Sequence, residues 1–286
     1  MAAELAVELE TRQLADLSER PTRAPQLRIW SSLWPQLAAL VVAVAVWQVV
    51  AWSGWRPASV LPGPLPVFQR LFNDLTSVDF YVGVAITLER ALIGYGIAVL
   101  AGSAVGLLVA RVTILRRALG SALLGLQSMP SISWFPLAIL LFQRSEPAII
   151  FVVLLGAAPA IANGLLSGVD HVQPLLVRVG RVMGARGLGL YRHVILPAAL
   201  PSFVGGLKQG WAFAWRSLMA GELILASVGQ QPSLGQQLRL AQNAPDTQQL
   251  LAVMIVIFTI GVIVDLGFGV LDREIRRRWG LVGVEA

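Results

Sequence analysis

Residues 176–197 read LVRVGRVMGARGLGLYRHVILP. This stretch is polar and basic, carrying Arg178, Arg181, Arg186, Arg192 and His193, and it lies between two runs apolar enough to cross a bilayer. Outward from it the chain is greasy. Of its 286 residues 56% are hydrophobic and only 13% charged, against about 25% charged in a soluble domain. A spanning helix needs about 20 apolar residues, so intervals without charge locate the spans. Arg28 to Arg56 encloses 27 uncharged residues, Arg90 to Arg111 encloses 20, Arg117 to Arg144 encloses 26, Glu146 to Asp170 encloses 23 and Asp246 to Asp265 encloses 18. A sixth run, 199–226, is long enough but contains Lys208, Arg216 and Glu222. The expectation is an all-α integral membrane protein with six transmembrane helices, at about 35–53, 84–110, 118–142, 147–168, 199–226 and 248–268.

Charge placement sets the expected orientation. Of 22 basic residues, 15 fall before the first span, at 111–117, within 176–197 or at 273–278. The other side holds Arg56, Arg70, Arg90, Arg144 and Arg239. The positive-inside rule then puts both termini and the 176–197 loop in the cytoplasm of a multi-pass protein of the cell (inner or plasma) membrane. The net charge of +6 is explained by this asymmetry, and no nucleic-acid partner is expected. The domain reading is a cytoplasmic segment 1–34, a membrane domain 35–272 with the basic loop at about 170–197, and a cytoplasmic tail 273–286. No apolar core closely follows Met1, so no signal peptide is expected.

Several features mark the membrane interface and breaks within the spans. Trp30, Trp34, Trp52 and Trp55 flank the first span as interfacial aromatics do. VFQRLFNDL (67–75) reads as a short amphipathic helix on the membrane surface. The third span carries Gln127, Ser128, Ser131 and Trp134 around Pro130 and Pro136. Broken backbone at membrane depth is tolerated only against protein or a wet cavity, so these four side chains are expected to line a path. In the fifth span Lys208, Trp211, Trp215, Met219 and Glu222 share one helical face, with Arg216 at its edge. Trp211, Trp215, Arg216 and Glu222 complete the expected path. A charge near mid-membrane costs at least about 2.5 kcal/mol unpaired, so Arg216 requires a partner: another helix, a second protomer or an anionic cargo.

The basic loop also carries a spacing. Gly184 is followed ten residues later by Val194, then Leu196-Pro197. This resembles the EAA loop of ABC importer permeases, with Arg178-Val179-Gly180 standing where that family has Glu-Ala-Ala. The contacts of the missing Glu are therefore not carried over. Further segments resemble the nitrate, sulfonate and taurine subfamily: LPGPLPVF (61–68), Thr87-Leu88-x-Arg90-x-x-x-Gly94-Tyr95, MPSISWFPLAILLF (129–142), WRSLMAGEL (215–223), SVGQQPSLGQQL (227–238) and DREIRRRW (272–279). Of the usual Gly-Leu-Gly outer loop only Ser233-Leu234-Gly235 remains. The resemblance spans about residues 57–279.

It implies a permease core of five helices with a cytoplasmic coupling helix. Arg178, Arg181, Gly184, Ala185, Arg186, Gly187, Leu196 and Pro197 would meet the ATPase. The implied partners are two ABC ATPase subunits, a second permease copy forming a homodimer, an extracytoplasmic solute-binding protein and membrane lipid. The implied cargo is a small anion of sulfonate, taurine or nitrate type, with riboflavin, pyrimidine or thiamine precursors as alternatives within the same machinery.

The chain is expected to lack catalysis and any cofactor or metal of its own. A phosphate-binding loop needs Gly-x-x-x-x-Gly-Lys-Ser/Thr, and the only Lys, Lys208, sits in GGLKQG. ATP and Mg would be bound by the partner ATPase. His171 and His193 lie 22 residues apart, and there is no Cys. An ion-coupled secondary transporter is the rival class. It would need buried carboxylates, for which only Glu222 and Asp265 are in place.

Overall fold

The computed structural model describes residues 25–225 and 232–278. The charged segment 1–24, the side chain of Trp30, residues 226–231 of the expected outer loop and the tail 279–286 lie outside the described residues. The chain divides into two compact units, Met1–Pro64 and Leu65–Ala286.

In the first unit, α1 (Pro25–Trp52) starts ten residues before the expected boundary. Proline suits a first turn, where its missing N–H costs nothing. The apolar part of α1, Leu37–Trp52, exposes Leu40, Val41, Val46 and Val49. Trp47 Nε1 donates to Pro62 O at 3.0 Å and holds the Pro-rich connection back along the helix.

The second unit begins with α2 (Pro64–Asp74), which is amphipathic as expected: Val67 is buried while Leu65 and Phe72 are exposed. Arg70 approaches Asp74 at 3.5 Å and Asp246 at 3.8 Å, tying α2 to the start of the last helix. Then come α3 (Val78–Arg111), α4 (Thr113–Ser128), a 3-10 turn (Ser131–Trp134), α5 (Phe135–Phe142) and α6 (Glu146–Asp170). After these follow α7 (Pro174–Val182), α8 (Gly187–Leu190), a π turn (Tyr191–Ile195), α9 (Leu196–Ile224), α10 (Leu234–Asn243) and α11 (Thr247–Arg278).

The expected spans meet this architecture unevenly. Among the described residues, α3, α6 and α11 are long and apolar enough to cross a membrane, or four spans if the bent pair is counted as one. That pair is the expected third span, which is folded by 102° rather than straight. Pro130 forces the residue before it out of helical geometry, and Met129 sits at φ −75°, ψ 129°. Pro136 is harmless in the first turn of α5. The helix of the expected second span starts at Val78, six residues earlier than expected, and Arg90 lies in its first half. α9 does not qualify as an apolar span, and two of its three charges are matched: Lys208 Nζ lies 3.1 Å from Asp265 Oδ1, and Glu222 pairs with Arg90.

α6 is the strut of this unit, packed along both α3 and α9. Small residues make that possible. A Cβ on Gly206 would fall 2.6 Å from Gly164 Cα, and one on Gly102 would fall 2.6 Å from Ala158 O. Gly94 abuts Val153, Gly106 abuts Ala162 and Gly210 abuts Ile161. Ala91, Ala98, Ile149, Val152, Ala157, Ile161 and Leu218 close the core between these helices.

This contact predicts a paired result. Gly206→Val forces α9 off α6 and lowers stability by about 1–3 kcal/mol. Gly205→Val, where a Cβ meets nothing within 4 Å, leaves it unchanged. Thermal unfolding in detergent, followed by size exclusion, reads the difference; equal loss in both variants contradicts the packing account.

Candidate functional site

The basic loop folds into two short helices. Pro174 opens α7 in its first turn. At its end Gly184 N–H donates to Arg181 O at 3.0 Å and Ala185 N–H to Gly180 O at 2.9 Å. These are the two bonds of a Schellman motif, whose turning residue adopts positive φ. Gly184 is that residue, at φ +90°, and Gly187 follows at φ +52°. Neither is crowded within the chain, so both glycines serve backbone conformation. Gly180 is the packing glycine, its missing Cβ replaced by Val194 Cγ2 at 2.8 Å and Leu190 Cδ1 at 3.1 Å. That contact clamps α7 against the root of α9.

The segment presents a mixed surface. Arg178, Arg181, Arg186, Gly184 and Gly187 are exposed, while Ala185, Leu196 and Pro197 are half-buried at its base. Among the described residues none of the three arginines makes an ion pair. Sequence reasoning stressed these cations and missed the apolar half of the face: Val182 is 88% exposed, Met183 82% and Leu188 65%. Their period along α7 and α8 was the available signal. An Arg116–Asp170 ion pair and the stacking of Arg111 over Tyr191 at 5.9 Å brace the flanking helices.

The expected path residues fall in separate places. Gln127 accepts from Asn163 Nδ2 at 2.7 Å, linking α4 to α6. Ser128 is exposed, its Oγ donating to Gly125 O at 2.8 Å. Ser131 and Trp134, both half-buried, pack against the core near Gly156. Trp211, Trp215 and Arg216 do come together, along a groove of about 590 Å³ between α9 and α11. The two indoles stack at 6.0 Å and 18°, and Tyr95 meets Trp211 edge-on at 5.2 Å. Arg216 sits over the Phe213 ring at 5.5 Å and has no ion pair among the described residues.

Glu222, expected on the path on the face shared with Trp211 and Trp215, meets α3 as Trp211 does and is only 1% exposed. Arg90 Nη1 donates to Glu222 Oε1 at 3.1 Å, and Thr87 Oγ1 donates to Oε2 at 3.0 Å. Gly235 N–H donates to Oε2 at 3.0 Å, and Leu234 N–H to Thr87 Oγ1 at 3.0 Å. The carboxylate thus faces both a guanidinium and the positive end of α10. Ser233 and Gln236 close the same end as a capping box. A Cβ on Gly235 would run into Glu222, which explains the retained Ser-Leu-Gly. Arg90 also donates through Nε to Glu146 Oε1 at 3.2 Å, drawing in the start of α6. Arg239 Nη1 donates to the carbonyls of Leu223 and Ile224 at 3.1 and 3.0 Å and caps α9. Charge count alone could not pair residues 132 positions apart, although Thr87, Arg90, Glu222 and Gly235 all lie in segments that the sequence marked.

Breaking one side of a buried pair strands the other charge and costs about 3–5 kcal/mol. Arg90→Gln is therefore expected to destabilise the protein by that order, and Glu222→Gln added to it to restore a large part. Thermal unfolding of the three variants forms the cycle. Additive losses would show that the two residues do not depend on each other.

Residues 65–277 match the family model described as "Binding-protein-dependent transport system inner membrane component". The chain is 31% identical over 233 residues to the putative aliphatic sulfonates transport permease protein SsuC of Escherichia coli K12, covering 80% of this chain and 86% of that one. It is 27% identical over 251 residues to the nitrate import permease protein NrtB of Leptolyngbya laminosa, covering 84% and 87%. It is 29% identical over 244 residues to the E. coli K12 taurine transport system permease protein TauC, covering 84% and 87%. Among solved structures, an inward-facing form of the MetNI methionine ABC transporter superposes with a TM-score of 0.59 at 19% identity, over 69% of this chain and 96% of that one. That likeness is one of fold. With the match covering most of its length, this chain belongs to the binding-protein-dependent transport inner-membrane family, the permease subunits of ABC importers.

Proposed function

We propose that this permease carries a small organic or inorganic anion, of the sulfonate, taurine or nitrate kind, received from an extracytoplasmic binding protein. The observation that carries the reading is Arg216, a cation in a membrane-embedded unit that faces an open groove and has no carboxylate partner among the described residues. An unmatched charge there is costly, and a passing anion relieves the cost while the cation draws it in. An even number of spans, six if α1, the bent α4–α5 pair and α9 also cross, would leave both termini on one side, and the arginine asymmetry assigns that side to the cytoplasm. Two copies form the path, and each presents α7–α8 to one ATPase subunit, which binds ATP and Mg and performs the hydrolysis. The surface supports that role: apolar side chains available for burial, ringed by arginines that suit an acidic rim. An ion-coupled carrier is disfavoured, since Glu222 is sealed in a hydrogen-bonded cluster and Asp265 is held by Lys208.

Two measurements test this. Gly184→Val opposes the positive φ of the turn, whereas Gly184→Asn tolerates it. The expected result is strong loss of ATPase co-purification for Val, a mild loss for Asn and normal membrane insertion of both; undiminished co-purification of the Val variant contradicts the docking role. Separately, Arg216→Gln is expected to assemble normally and lose at least about tenfold in anion uptake into proteoliposomes, the scale of a charge-assisted hydrogen bond. Arg216→Lys retains part of the uptake. Full uptake by the Gln variant excludes the path role.

A further inference from the structure

We infer that the groove between α9 and α11 is a binding site of the permease's own for an organic anion with an apolar portion, so that the membrane subunit itself selects cargo; this rests on the permease reading above. Positions 208, 211, 212, 215, 216 and 219 recur every three or four residues and form one stripe of α9. The stripe alternates charge with aromatic surface. At one end Lys208 is already matched by Asp265 at 3.1 Å. Arg216 is the cation left available.

Beside it the exposed edges of Trp211 and Trp215, otherwise buried at 6% and 8% exposed, join Met254 and Phe258 in an apolar shelf. Met219 adds to the wall, and Gly261 leaves it open: a Cβ there would lie 3.5 Å from Trp215 Nε1. Trp211 Nε1 is buried and has no acceptor among the described residues. The volume, about 590 Å³, lies in the range of small-molecule sites. Nitrate is far smaller and has no apolar surface, so it would leave most of the shelf uncovered. An anion with a short carbon chain satisfies both parts, its head on Arg216 and its tail across the indoles.

The two other possible occupants match less of the site. A lipid acyl chain covers the shelf and leaves Arg216 bare. A second copy seated by the same stripe brings another Arg216 and no free carboxylate, because the one acid lining the groove is Asp265.

The test uses the permease assembled with its ATPase in nanodiscs. Calorimetric titration compares linear alkanesulfonates from ethane- to hexanesulfonate with sodium nitrate, after subtraction of partitioning into empty nanodiscs. Affinity is expected to rise about threefold to fourfold per added methylene, the transfer value of a buried CH₂. Nitrate is expected to give no comparable binding. Arg216→Gln should weaken hexanesulfonate about tenfold or more. Gly261→Leu, which pushes a side chain into the groove and leaves the charge in place, should abolish the chain-length gain while the ATPase still co-purifies. If Arg216→Gln fails to assemble, Gly261→Leu decides alone. Nitrate binding as well as hexanesulfonate overturns the proposal. So does undiminished binding in both variants, the result expected if lipid or a second copy fills the groove. Failure of the wild-type chain to retain an ATPase would instead sink the permease reading, and is scored separately by ATP hydrolysis of the purified complex.

Discussion

Lipid offers no hydrophobic force to press one apolar helix against another, so close packing must do that work. The second unit depends on this constraint. α6 can lie along α3 and α9 only because side chains are absent where the backbones meet, at Gly164 against Gly206 and at Gly102 against Ala158. Arg216, Glu222 and the root of the α7–α8 face all lie on or against α9, and α9 is positioned by that seam. With α9 fixed, its charges have to be matched one at a time. Lys208 finds Asp265 on α11, and Glu222 finds Arg90 on α3 and the amino end of α10. The helix therefore locks by packing along one side and by ion pairs at two heights.

The same helix links three regions. Its 29 residues extend about 42 Å. Its root carries the α7–α8 face, clamped through Gly180 against Val194. Its middle carries the stacked tryptophans and Arg216. Its far end carries Glu222 and is capped by Arg239. Pro197 and Pro201 lack the N–H that the ladder would use, and the turn just before them widens to π geometry at Tyr191–Ile195. The bendable point lies at the root, next to the face proposed to meet the ATPase, and the stiff part runs from there past the groove. Movement of that face has a single continuous element through which to reach Arg216.

Much of this was legible in the sequence, for identifiable reasons. Charge-free runs gave α3, α6 and α11, because bilayer thickness sets a minimum length. The spacing from Gly184 to Leu196-Pro197 marked the α7–α8 segment, and the Schellman turn supplies the reason for that Gly. Pro130 announced a break, but not a 102° fold, since a proline states where a helix ends and not where the chain goes next. The burial of Glu222 was not legible because a helical wheel assigns a residue to a face without saying which neighbour covers it. Hydropathy counts Arg90 as a charge and cannot see that it is matched from α9. The apolar face at Val182 and Met183 was legible only through the amphipathic period of α7, which the run of arginines overshadowed.

The central claim is that the α7–α8 face, presented at the root of α9, is where an ATPase subunit docks. The chain contains no Cys, so a single introduced thiol is unambiguous. Val182→Cys and Leu240→Cys place one on this face and one on α10, both at exposed positions. In membranes co-expressing the ATPase, a short bifunctional thiol reagent should join the permease to an ATPase surface cysteine from position 182 and not from position 240. Cross-linking from 240, or its absence from 182 at every ATPase position scanned, would contradict the account.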